Sequence, residues 1–269
     1  MEVWTWTWDP AVLAALAVAV YVYARFAGPL RPRPGQVVLF AAGVLAVFAA
    51  LVTPVNAVGD RYLFTLHVVN HQLLQMAAPI LFVLSVPRKS WPRRARERRR
   101  ARRGELLTAG VVFALYNLVI WLWHWPLGAG ASGGLRQACG LPTGLPKENP
   151  LLATLEDGIP LLVGLPFWAI ALRPASVAWR ASAARLALLV GSWLFNWLIS
   201  FFIGLAGRPL YGTYLVLPRV WGLSPLADQA LGAGIMWVMG NMMYGAVLLW
   251  LLWRLLRREE AADAAVQRA

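Results

Sequence analysis

The sequence predicts an all-α membrane protein: a polytopic helix bundle with seven transmembrane helices, its N-terminus outside and its C-terminus cytoplasmic. Three observations carry this. Of 269 residues, 59% are hydrophobic and fifteen are tryptophan, too apolar a mixture for an ordinary soluble domain. The apolar residues gather into seven runs, each near the ~20 residues a helix needs to cross a bilayer. Twenty of the 25 Lys and Arg fall in alternate connections between those runs, the positive-inside pattern. Runs this long and apolar satisfy their backbone hydrogen bonds internally, as helices rather than barrel strands.

The first run, about 10–27, follows "MEVWTWTWDP". That leader has no positive n-region, so a cleaved signal peptide is not expected. Trp4, Trp6 and Trp8 read as interfacial anchors, or as a binding lip. Arg25, Arg31 and Arg33 lead to the second run, about 36–53. The third, about 62–86, contains "LHVVNHQLLQMAAP" and is followed by the basic stretch 88–105, expected on the cytoplasmic side against anionic headgroups. The fourth, about 106–125, ends in "WLWHWP". A Gly- and Pro-rich outer loop, 127–149, carries Cys139, the single cysteine, so neither an intrachain disulfide nor a two-thiolate metal site is available.

The fifth run, about 150–172, holds Pro160 and Pro166, which should bend it. The sixth, about 186–206, carries the polar stripe Ser192, Asn196 and Ser200, read as interhelical hydrogen bonding. The seventh, about 226–253, carries Met236, Met239, Met242 and Met243 on one broad side, read as packing or as a thioether path for Cu(I). The outer connections hold only Arg61, Arg136, Lys147, Arg208 and Arg219. The net charge of +13 is therefore a topological signal and not a nucleic-acid footprint. The whole chain reads as one integral membrane domain, with no soluble domain and no catalytic motif.

This topology places the ionisable groups at one level. His67 and His71 are one turn apart on one face of the third run, with Gln75 continuing it. His124 closes the fourth run, Glu156 and Asp157 open the fifth, and Asp228 and Gln229 open the seventh. Buried ionisable groups in a membrane mark a site or a path. Three imidazoles with one or two carboxylates suit Cu(II), Zn(II) or Fe(II), so His67, His71, His124, Glu156, Asp157 and Asp228 form the candidate metal site. Each also has a structural reading. The paired histidines can satisfy Asn or Ser across helices, and His124 can sit at the interface beside tryptophan. Asp228 can favour a helix start through the macrodipole, and Glu156 can pair with Arg61 or Lys147. Depth poses a problem: His71 lies about 13 Å into its helix at ~1.5 Å per residue, while His124 is at the end of its own. A shared site requires tilt, or a third helix that projects further outward.

The succession "HVVNHQLLQMAAPILFVL", "WHWP", "LEDGIPLLVGLPFW", "SPLADQALGAGIMW" resembles the CtaG family of multi-helix bacterial cytochrome c oxidase assembly factors, over roughly residues 36–253. The resemblance implies a multi-pass protein of the bacterial inner membrane that helps to mature a haem–copper oxidase through metal insertion, with oxidase subunits as partners. The matching positions are His67, His71, His124, Asp228 and Gln229. One motif departs: where the family often has His-x-x-Glu-His, this chain reads Ala153-Thr154-Leu155-Glu156-Asp157. Aspartate ligates Cu(II) or Zn(II) and is a poor ligand for Cu(I).

Three functions compete on these residues. The first is an assembly factor that binds copper at the histidines and passes it on by ligand exchange, without turnover. The second is a membrane haem or redox protein, with His71 and His124 as axial ligands. The third is a structural subunit or metal transporter. Transport needs polar groups through the inner half as well, where little stands besides the methionines and Asn196.

Overall fold

The computed structural model describes residues 4–87, 100–124, 150–172 and 179–266, without the side chains of 100–106, 150–156, 179–183, 213, 258–259 and 261–266. The predicted basic loop is outside these residues up to 99, and so are the outer loop 127–149 and its Cys139.

The described residues are helical and contain no strand. The helices are α1 (Pro10–Ala27), α2 (Pro34–Leu51), α3 (Pro54–Arg61), α4 (Phe64–Gln72), α5 (Ala78–Ser85), α6 (Arg100–His124), α7 (Pro150–Leu172), α8 (Trp179–Gly204), α9 (Thr213–Val216) and α10 (Pro225–Val266). Several starts share one device, a polar cap followed by proline. Asp9 accepts from the Ala11 amide, Thr53 from Val55 and Ser224 from Ala227. Proline fits the first helical position because its missing N–H is not needed there.

Six helical segments are long and apolar enough to cross a membrane: Pro10–Leu30, Pro34–Arg61, Phe64–Ser85, Leu107–His124, Ala184–Gly204 and Pro225–Arg257. Asp157–Leu172 is a shorter apolar stretch. The structure refines the predicted boundaries. The second run breaks at Thr53, and its continuation folds as α3 against the start of α4. Helix α6 begins at Arg100, inside the basic stretch, and α10 runs on to Val266.

Helix α4, a π turn over Leu73–Ala77, and α5 form one segment that contacts α2, α3, α7 and α10. Proline explains the turn: Pro79 has no N–H to give the Gln75 carbonyl. The ladder widens, and the Ala78 amide reaches the Leu73 carbonyl. The Gln75 oxygen instead accepts from Trp168 Nε1 at 3.1 Å. Helix α7 approaches this closely because residue 164 is glycine; a Cβ there would sit 2.5 Å from the Gln75 oxygen. Below this level the core is aromatic and aliphatic. Tyr116 stacks on Phe167 at 3.8 Å, and Tyr244 donates to the Tyr116 hydroxyl at 3.0 Å.

Candidate metal centre

The histidines sit at the end of the bundle where α6 and α8 finish and α4 and α10 begin, here the histidine end. What fixes α4 is Asp228. Its two carboxylate oxygens accept from the Phe64 amide at 2.8 Å and the Thr65 amide at 3.0 Å, while Thr65 Oγ1 donates to the Asp228 carbonyl. A residue of α10 thus caps another helix. The cap is fully buried (0% exposed), and the free amides of a helix N-terminus favour a negative charge. Gly232, one turn on, lets the two helices close, since a Cβ there would meet the Phe64 ring at 2.6 Å.

Gln229 does the same for α8. Its Nε2 donates to the carbonyls of Ile203 and Arg208, and its Oε1 accepts from the Leu210 amide at 2.6 Å. Asp228 and Gln229 together therefore tie α4, α8 and the connection after α8 to the start of α10.

On this frame three imidazoles meet. His67 and His71 have ring centroids 4.5 Å apart, and His71 and His124 are 5.5 Å apart. All are buried, at 5%, 2% and 4% exposed. The predicted depth conflict is absent because the chain around α4 projects beyond it: α3 packs on α4 outside the histidines, and Gly59 lies so close that a Cβ would be 2.7 Å from the His67 amide nitrogen. His124 is oriented by its own helix. Its Nδ1 bonds the Ile120 carbonyl at 2.8 Å, and its Nε2 has no hydrogen-bond partner among the described residues. A bond to the far ring nitrogen prepares an imidazole to ligate, with Nδ1–H held and the Nε2 lone pair presented.

Ring spacing suits a shared ion. Two imidazoles on one tetrahedral metal, with nitrogens ~2.0–2.1 Å from it, place their centroids about 5 Å apart. The rings have not converged on one point, for among the described residues no group of three or more His, Cys, Asp or Glu has the geometry to hold a metal. Ligation would require ring rotation. Of the carboxylates, Asp228 is engaged as the cap of α4, Asp157 is half-buried at the start of α7, and the Glu156 side chain is outside the described residues.

Two features escaped the sequence. One is the connection after α8, where Tyr211 donates its hydroxyl to the His124 carbonyl at 2.7 Å and Tyr214 donates to the Gly59 carbonyl at 2.8 Å. The aromatic "LYGTYL", residues 210–215 between Pro209 and Pro218, was its only signal. The other is the capping role of Asp228 and Gln229. The α10 methionines do not line one path: Met236 is in the core, while Met242 is 68% exposed on the bundle surface. The polar stripe does bridge helices. Asn117 donates to Ser192 Oγ at 2.9 Å, and Asn196 to the Met236 carbonyl at 3.4 Å.

Fold and site together define a class, a multi-pass helical membrane protein with three buried histidines at one end of its bundle. The family model of the cytochrome c oxidase caa3 assembly factor (Caa3_CtaG) matches residues 9–134 and 143–258, and the chain belongs to that family. No curated protein matches the chain, and no solved structure does.

Proposed function

We propose that this protein serves oxidase assembly by binding copper as cargo at His67, His71 and His124 and releasing it to an oxidase subunit by ligand exchange. The observation that carries the reading is the meeting of three buried imidazoles from two helices, one of them with Nδ1 held and Nε2 presented. Nitrogen donors suit Cu(II), and Zn(II) or Fe(II) would compete for them. Asp157 and Glu156 are the nearest candidates in sequence for a further oxygen ligand from α7.

The same reading gives the topology. Seven spans cross the bacterial inner membrane, with α7 as the seventh and the histidine end on the outer side. The basic connections then face the cytoplasm, and the N-terminal tryptophans lie at the outer interface, where Trp4 meets Trp221 at 6.0 Å. Imidazole ligates only when neutral, so protons compete with copper and its affinity should fall as the pH drops. Haem fits less well. The His71 and His124 rings meet edge to face at 5.5 Å, whereas a porphyrin would need them on opposite sides of its plane.

The test is copper titration of purified protein and of His67→Ala/His71→Ala. Stoichiometric binding lost in the variant supports the reading; equal binding by both excludes this site.

A further inference from the structure

Residues 205–224 do more than join α8 to α10. They fold back over the histidine end as a strap. Gln229 holds its beginning through Leu210 and Arg208. Tyr211 stacks on Phe64, centroids 4.5 Å apart, and bonds the last residue of α6; Tyr214 bonds α3 and lies 6.5 Å from the His67 ring. Further on, Val220 packs against Val58 and Leu63. The two tyrosines thus bridge the helices on either side of the imidazoles.

We infer that this strap is a gate: closed, it seals the three histidines, and it lifts to let a small ion reach them, with the Tyr211 and Tyr214 hydroxyls as its latches. For what passes the gate, the inference rests on the metal reading above. Three further observations support it. Both latches end on backbone carbonyls, which water can satisfy once the strap moves. The outward side of α9 is unpacked, with Leu215 and Val216 exposed. And Trp221 is held at φ 56, a left-handed conformation unfavourable for a bulky residue, next to Gly222 at φ 67. Such strain persists only where surrounding contacts enforce it, and it would be relieved on opening.

The strap contains no His, Cys, Asp or Glu. The Tyr211 hydroxyl is spent on the His124 carbonyl and the Tyr214 hydroxyl on the Gly59 carbonyl. Loosening the strap should therefore change rates and leave affinity alone.

Diethyl pyrocarbonate, which acylates accessible neutral imidazole, tests this on metal-free protein, because the chain has only three histidines to report. Tyr211→Phe/Tyr214→Phe keeps both rings and loses both latches, so acylation should quicken by about tenfold or more. In the unaltered protein, hydrogen exchange of the Leu210 amide should follow the same opening. With Cu(II) as probe, association and dissociation should both quicken in the variant, with Kd moving less than about threefold. Unchanged acylation in a folded variant, or a Leu210 amide protected as strongly as the core of α8, would overturn the gate. Faster acylation in a protein that binds no copper would keep the gate and reject the metal reading instead.

Discussion

Two buried polar regions of this bundle solve the same problem differently. At the middle of the bundle, polar groups satisfy one another across helices. Gln75 Nε2 donates to the Tyr116 carbonyl, the Gln75 carbonyl accepts from Trp168, and Tyr244 bonds Tyr116. At the histidine end the polar side chains mostly bond backbone at the ends of helices. Asp228 takes the first amides of α4, Gln229 a late carbonyl of α8, and Tyr211 the last carbonyl of α6. The first arrangement locks helices together. The second fixes where helices begin and end, and so positions the three imidazoles. The two regions differ in what their hydrogen bonds are for.

The sharpest way to break this contrast is Asp228→Ala, which strips two buried amides of a charged acceptor. Loss of hydrogen bonds to a charged group, leaving donors unmet, should lower stability by about 3 kcal/mol and abolish copper uptake, read from denaturation in detergent and metal content. Gly59→Ala comes next. A methyl 2.7 Å from the His67 amide nitrogen must push α3 off α4, so about 1–3 kcal/mol of stability and much of the copper affinity should go. Trp168→Phe tests the middle of the bundle. It leaves the Gln75 carbonyl unmet, costing about 1–3 kcal/mol, while copper binding stays within about threefold of the unaltered protein. Met242→Leu, on the exposed face, should shift stability by less than about 0.5 kcal/mol and copper uptake not at all.

Much of this was legible in the sequence, because membrane helices announce themselves by composition and length, and the caps Asp9, Thr53 and Ser224 stand directly before prolines. His67 and His71 were placed on one face by their spacing alone. The meeting with His124 was expected from topology, yet the route to it was hidden. The depth given to His71 took the run 62–86 to begin at the outer face, because nothing local marks 54–61 as a separate α3 packed before it. Nor did Asp228 reveal its use. A carboxylate at a helix start suggests service to its own helix, and only packing at Gly232 brings α4 within its reach. The π turn follows from Pro79 once Trp168 supplies the missing donor, a pairing 93 residues apart that no local pattern contains.

The central claim is that the histidine cluster holds copper. Elemental analysis of protein loaded with Cu(II) and desalted, set beside His67→Ala, His71→Ala and His124→Ala, tests it most directly. The account predicts about one copper per chain in the unaltered protein, with less than half remaining in each variant. Copper content that is unchanged when all three histidines are replaced together, in a protein that still folds, would contradict it.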